Sequence, residues 1–242
     1  MTIERESIEF DVLFVGGGPA GLAGAIRLLQ MAQEKGLELE VALIEKGAEI
    51  GAHAVSGAIV NPIALNELIP NHKDEGCPID GIVAADAFYY LTPTRAFRAP
   101  FVPKYLHNRG FYIVSLSKFT RWLGGIAETL GLNIFPGFAG REVLYAEGSD
   151  RILGVRTGDK GLDKDGEPKD NFEPGYDLRA KITVFAEGAR GSLFKELDHK
   201  LELSATSLPQ VYETGIKEVI QLKADNFFKT SAFNDIHFLG YP

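Results

Sequence analysis

Phe14–Leu29 reads FVGGGPAGLAGAIRLL, and the question it poses is whether its glycines make a plain turn or a cradle for phosphate. The residues before it, FDVLFV from Phe10 to Val15, form a short apolar run suited to a strand buried on both faces of a parallel sheet. Pro19 falls where a helix would begin, with its fixed φ suited to the first turn. Leu22, Ile26 and Leu29 recur at helical spacing, and Gly36 is placed to stop the helix. EVALIE, from Glu40 to Glu45, reads as a second buried strand. The order is therefore strand, glycine turn, helix, strand.

Within that context Gly16, Gly18 and Gly21 match G-x-G-x-x-G. The first permits a tight turn and the second lets backbone amides approach a pyrophosphate. The third lets helix and strand pack closely, while the helix N-terminus offers amides and a positive dipole to phosphate. Gly17, Pro19 and Ala20 complete the loop. Glu45 closes the second strand, where a carboxylate accepts hydrogen bonds from a ribose diol and repels a 2′-phosphate; Lys46 follows it. This reads as a dinucleotide cradle. A turn at Glu187-Gly188 ends another apolar strand, Lys181–Ala186, and its pairing with an amino-terminal cradle favours FAD over NAD.

Composition limits the alternatives. A net charge of -8 gives no electrostatic support to nucleic-acid binding. The single cysteine, Cys77, permits neither an internal disulfide nor an iron–sulfur cluster, which needs about four thiolates. The histidines lack metal-ligand spacing, so no metal site is expected. Met1–Phe10 lacks the apolar core of a signal peptide and carries acids unlike a transit peptide.

Further along, Leu65–Ile69 reads as a helical turn closed by Pro70, and 71–103 shows no regular pattern. Phe111–Leu116 reads as a strand, and Ser117 as the cap of a helix over Lys118–Leu130 that Gly131 ends. Another strand begins at Leu132–Phe135. Glu142–Tyr145 and Ile152–Thr157 read as a hairpin, and Gly158–Gly175 as a solvated hairpin loop rather than a calcium site. Gln210–Lys217 is weakly strand-like. IGAHAVSGAIVNP, from Ile50 to Pro62, has small residues that allow backbone to approach a ligand; His53 is either a proton donor or a hydrogen-bonded structural histidine.

Several segments together resemble the electron transfer flavoprotein–ubiquinone oxidoreductases: FDVLFVGGGPAGLAGAIRL, EKGAEIGAHAVSGAIVNPIALNEL, GFYIVSLSKFTRWLGGIAETLGLNIFPGFAG, KDGEPKDNF, KITVFAEGARGSL and TGIKEV. The resemblance implies an FAD enzyme that takes electrons from reduced electron transfer flavoprotein and passes them to ubiquinone, with peripheral membrane association and a [4Fe–4S] cluster. It implies FAD contacts at Gly16, Gly18, Gly21 and Glu45, and from the loop spanning Gly51, His53, Ser56 and Gly57. It implies lipid contact at Ile50, Ile59, Val60 and Ile63.

The expected fold class is α/β, a Rossmann-like FAD-binding βαβ sheet with an interleaved partial α+β quinone domain. Residues 1–70 and 108–200 are expected to form the FAD domain, 71–107 an insertion, and 201–242 the start of a truncated domain. Family members run longer, so the chain reads as an amino-terminal part lacking the cluster cysteines. Without a leader it is expected on the cytoplasmic face of a bacterial inner membrane, or at the mitochondrial inner membrane if a leader has been removed. Two other readings are a geranylgeranyl-reductase-like flavoenzyme and a non-catalytic FAD-domain fragment that needs a second chain.

Overall fold

The computed structural model describes residues 4–54 and 57–212. In chain order the strands are β1 Ser7–Val15, β2 Val41–Glu45, β3 Ala58–Val60, β4 Ile79–Ile82, β5 Tyr89–Leu91, β6 Ala96–Arg98, β7 Tyr112–Val114, β8 Asn133–Pro136, β9 Gly140–Tyr145, β10 Ile152–Thr157, β11 Lys160–Leu162, β12 Pro168–Glu173 and β13 Asp177–Phe185. The helices are α1 Pro19–Glu34, α2 Pro62–Leu68, α3 Leu116–Thr129 and α4 Ser192–Leu201.

Two compact units divide the described residues. The first takes 4–54 with 120–212, and the second 57–119. A six-stranded sheet in the order β8-β2-β1-β13-β10-β9 builds the first unit. Its β8, β2, β1 and β13 run parallel, while β10 and β9 run antiparallel. Because β1 lies in the middle of the parallel part, Val12–Val15 and Val41–Ile44 are all buried. Leu13, Val15, Ile44, Val155 and Leu193 meet in one core. Helix α1 starts at Pro19 and ends as its sequence foretells: the Gly36 amide bonds to the Gln33 carbonyl, and that of Leu37 to Ala32.

The second unit pairs β3 with β7 and β7 with β4, and folds β5 onto β6. That pairing draws 57–70 out of the expected FAD domain, since β3 hydrogen-bonds β7 rather than β2. The stretch 71–103, expected to lack pattern, contains β4 and the β5–β6 hairpin. Its turn is made by Thr92, whose Oγ1 accepts from the Arg95 amide at 3.0 Å. A Pro-rich, aromatic-rich run hides this turn from a periodicity argument. The cap of α3 is Ser115 rather than Ser117, because the Phe119 amide already bonds to the Ser115 carbonyl. The expected loop at 158–175 is itself a hairpin, β11–β12, with Asp163 Oδ1 accepting from the amides of Asp165 and Glu167. Gln210–Tyr212 form no strand, and the rest of that expected strand lies outside the described residues. Among the described residues no helix is long and apolar enough to cross a membrane.

Ion pairs tie the first unit together. Arg5 binds both oxygens of Asp159, which also accepts from the Gly175 amide at 2.7 Å. Arg156 joins Asp177 and Glu142. The hydrogen bond from Arg5 holds the Asp159 carboxyl at about 2, below its ordinary 3.8. A carboxylate with a lowered native pKa stabilises fully above its unfolded value and loses that contribution as pH falls towards the native one. Stability should therefore drop between pH ~4 and ~2, and Asp159→Asn should flatten that part of an acid-unfolding profile followed by circular dichroism.

Candidate functional site: a phosphate cradle at the end of β1

The cradle is built where β1 meets α1. The Gly16 amide bonds to the Ile44 carbonyl at 2.9 Å and the Ala186 amide to that of Val15 at 2.8 Å, so the turn is held between β2 and β13. Gly16 has φ +113, and a Cβ there would collide with the Ala186 carbonyl oxygen. A Cβ on Gly21 would collide with the Gly16 carbonyl, so the helix start lies directly on the turn. At Gly18 the reverse holds: a Cβ would meet nothing within 4 Å.

Helix α1 opens toward that space. Gly18 is its N-cap with no side-chain hydrogen bond, and no acid lies in its first turn. Pro19 has no N–H to offer. The Leu22 amide is the first to bond within the helix, to Gly18, which leaves those of Ala20 and Gly21 without an intrahelical acceptor. An uncompensated helix N-terminus beside open space suits a pyrophosphate.

Glu45 does more than end β2. Its Oε2 accepts from the Gly17 amide at 2.8 Å and its Oε1 from the Gly47 amide at 2.7 Å. One carboxylate therefore ties the glycine turn to the loop after β2. Each oxygen keeps lone pairs for further donors such as ribose hydroxyls, and the side chain remains 13% exposed. His53 Nδ1 stands 3.6 Å from Oε1, with 60% of its side chain exposed.

Ile50, expected to face lipid, is only 9% exposed. A Cβ on Gly17 would lie 2.6 Å from its Cδ1, and one on Gly124 of α3 3.2 Å from its Cγ2. Two glycines make room for this side chain, and the packing that buries it removes it from any lipid-facing surface. No local signal in the sequence marks it.

Glu187, expected beside the cofactor, has its carboxylate engaged at the start of α4. It accepts from the amides of Ser192, Leu193 and Phe194 at 3.1, 3.3 and 2.9 Å, and so caps α4. The turn Gly188–Gly191 bends the chain back far enough for an acid outside the helix to reach its first amides. Backbone at 186–187 still lies against Gly16, with a Gly16 Cβ position 3.2 Å from the Glu187 nitrogen, and Gly188 has φ +79. Glu187→Ala should lower stability by roughly 1–2 kcal/mol, read as a shift in the urea midpoint at unchanged slope.

The remaining expected residues fall in both units. Lys46 and Ala20 are exposed, and Gly51 is buried in the first unit. Gly57, Ile59, Val60 and Ile63 belong to the second unit, and Ser56 lies outside the described residues. Ile63 is 63% exposed and Ile59 36%. Burial pushes the Cys77 thiol up to about 11, which keeps it protonated and unreactive at neutral pH.

No protein-family model matches the chain. Over 98% of its length the chain is 47% identical to the mitochondrial electron transfer flavoprotein–ubiquinone oxidoreductase of Arabidopsis thaliana. Over 92% of its length it is 51% identical to the probable electron transfer flavoprotein–ubiquinone oxidoreductase of Acinetobacter baylyi. The chain is homologous to the amino-terminal portion of the electron transfer flavoprotein–ubiquinone oxidoreductases. It spans 37% and 40% of the length of these two relatives. The fold is also that of a flavin-dependent monooxygenase solved with FAD and substrate, at a TM-score of 0.53 and 17% identity over 79% of this chain and 32% of the other.

Proposed function

We propose that this chain supplies the ADP-binding part of an FAD site in an oxidoreductase that takes electrons from reduced electron transfer flavoprotein and delivers them to ubiquinone. The observation that carries this reading is the 47% and 51% identity, over 98% and 92% of the chain, to oxidoreductases of that name. The cradle supports it, because the residues present fit a dinucleotide: open space at Gly18, helix amides without acceptors, and a carboxylate with lone pairs to spare.

When bound, FAD would supply the reversible uptake and release of electrons. The protein's part is binding and placement. Amides of Ala20 and Gly21 would hold the pyrophosphate, and Glu45 the ribose, with the Gly17 and Gly47 amides keeping its carboxylate in register. Ala186–Gly188 would set the depth of the turn against Gly16. Any [4Fe–4S] cluster would draw its thiolates from outside this chain, which has one cysteine. The site of action would be an inner membrane, on the cytoplasmic face in a bacterium, with the protein attached peripherally.

An absorption spectrum of the purified chain, with flavin quantified after denaturation and after titration with FAD, tests the reading. Bound FAD should show two visible bands that bleach anaerobically with reduced electron transfer flavoprotein and return with a soluble ubiquinone. No binding in excess FAD overturns the cofactor assignment. Bound FAD that the reduced flavoprotein leaves oxidised overturns the electron route.

A further inference from the structure

Ile50 is the one side chain that both the glycine turn and α3 make room for. On one side its Cδ1 lies 2.6 Å from where a Cβ on Gly17 would stand. On the other, its Cγ2, Cβ and Cγ1 lie 3.2, 3.6 and 3.6 Å from the Cβ position of Gly124. Neither glycine is there for its backbone. Gly17 does not adopt a positive φ, and Gly124 sits inside a helix, where alanine is the better former. What excludes a side chain at Gly17 is Ile50 together with Glu45, whose Cβ and Oε2 lie 3.1 Å from the same Cβ position. The loop that carries Ile50 is tied to the same helix a turn earlier, where Arg121 Nη2 donates to Glu49 Oε1 at 2.7 Å.

We propose that Ile50 is a positioning residue for the phosphate cradle: α3, through Gly124, holds it against Gly17 and so fixes where the turn stands when FAD binds. The ligand rests on the FAD reading; the contact does not. Glycine is the most conformationally free residue, and Gly17 is held otherwise by its amide bond to Glu45 Oε2 at 2.8 Å. An apolar wall against its α-carbon restrains the turn without competing for that amide. Dense packing passes small displacements on. Crowding at Gly124 has two outlets, towards Gly17 or into a cleft of about 200 Å³ bounded by Arg121, Gly125, Glu128 and Pro136. The Arg121–Glu49 pair stands in the wall of that cleft and opposes movement into it.

Gly124→Ala separates positioning from stability. The methyl improves helix propensity while it crowds Ile50, so Tm should stay within ~3 °C of the parent while the dissociation constant for FAD rises about 5-fold. Gly17→Ala should weaken FAD binding roughly 30-fold. Ile50→Val removes the Cδ1 that faces the new methyl, and in the double variant it should recover about 5-fold of that loss. Leu197→Ala, in the core beside α4, should lower Tm yet keep FAD affinity within about 2-fold of the parent. Amide hydrogen exchange of the full chain without FAD gives a readout that needs no ligand. Ile50→Ala should speed exchange of the Gly17 amide about 10-fold more than that of amides in β10, and Leu197→Ala should not single it out. Gly17 exchange that follows only the overall stability of Ile50→Ala overturns the proposal. So does a Gly124→Ala protein that binds FAD like the parent, with Ile50 withdrawn into the cleft, or a Gly17→Ala protein that Ile50→Val does not rescue. A parent chain that binds no FAD overturns the cofactor reading instead, and the exchange rates then decide the role of Ile50 by themselves.

Discussion

Replacing Gly16 by valine should abolish FAD binding and lower the unfolding free energy by about 4 kcal/mol, with Tm falling by ~10 °C. Two causes act at once. An L side chain at φ +113 is strained, and its Cβ would overlap the Ala186 carbonyl, a backbone atom already fixed by the bond from Ala186 to Val15. Relief requires prising the turn away from the end of β13, which disturbs the middle of the sheet. Gly18→Ala gives the contrast. Its φ is -76 and the space around it is open, so stability should change by less than ~1 kcal/mol. Affinity for FAD should still fall, since the added methyl would enter the open space that the proposed function gives to the pyrophosphate. Thermal melts and FAD titrations of both variants separate the two roles; a Gly16→Val protein with unchanged Tm would refute this account of the turn.

Glu45→Ala should cost about 3 kcal/mol, because the amides of Gly17 and Gly47 lose a mostly buried, charged acceptor together. Glu45→Gln should recover little of that. Its carbonyl oxygen serves one amide, but its NH2 then faces the other N–H, donor against donor. Urea unfolding reads the stability, and FAD titration reads whether the loosened turn still binds. Should Glu45→Gln unfold at the same midpoint as the parent, the carboxylate contributes nothing to holding the turn, and any effect on FAD is through direct contact alone.

Much of the first unit was open to reading because its signals are local. An apolar run, a proline at the first helical position, a stripe at helical spacing and a stopping glycine mark β1–α1–β2 without reference to distant residues. The glycine pattern announced close backbone approach because only the lack of a side chain permits it. The assignments that shifted each depended on a contact made at a distance. Glu187 ends a strand beside the cradle, and what its carboxylate binds was not legible: the bend at Gly188–Gly191 lets it cap α4. Ile50 looked like part of an exposed apolar stretch, but Gly17 and Gly124 leave a space that fits it. Residues 57–70 looked continuous with the cradle until β3 paired with β7.

The chain alone thus determined its parallel βαβ start, the cradle and the kinship to these oxidoreductases. Periodicity, turn chemistry and identity are properties of neighbours along the chain, and they survive without coordinates. Only the tertiary structure decided what Glu45 and Glu187 hold and which isoleucine is buried. Hydrogen-bond acceptors and apolar surface are claimed by whichever groups folding brings near, and the order of residues does not name them.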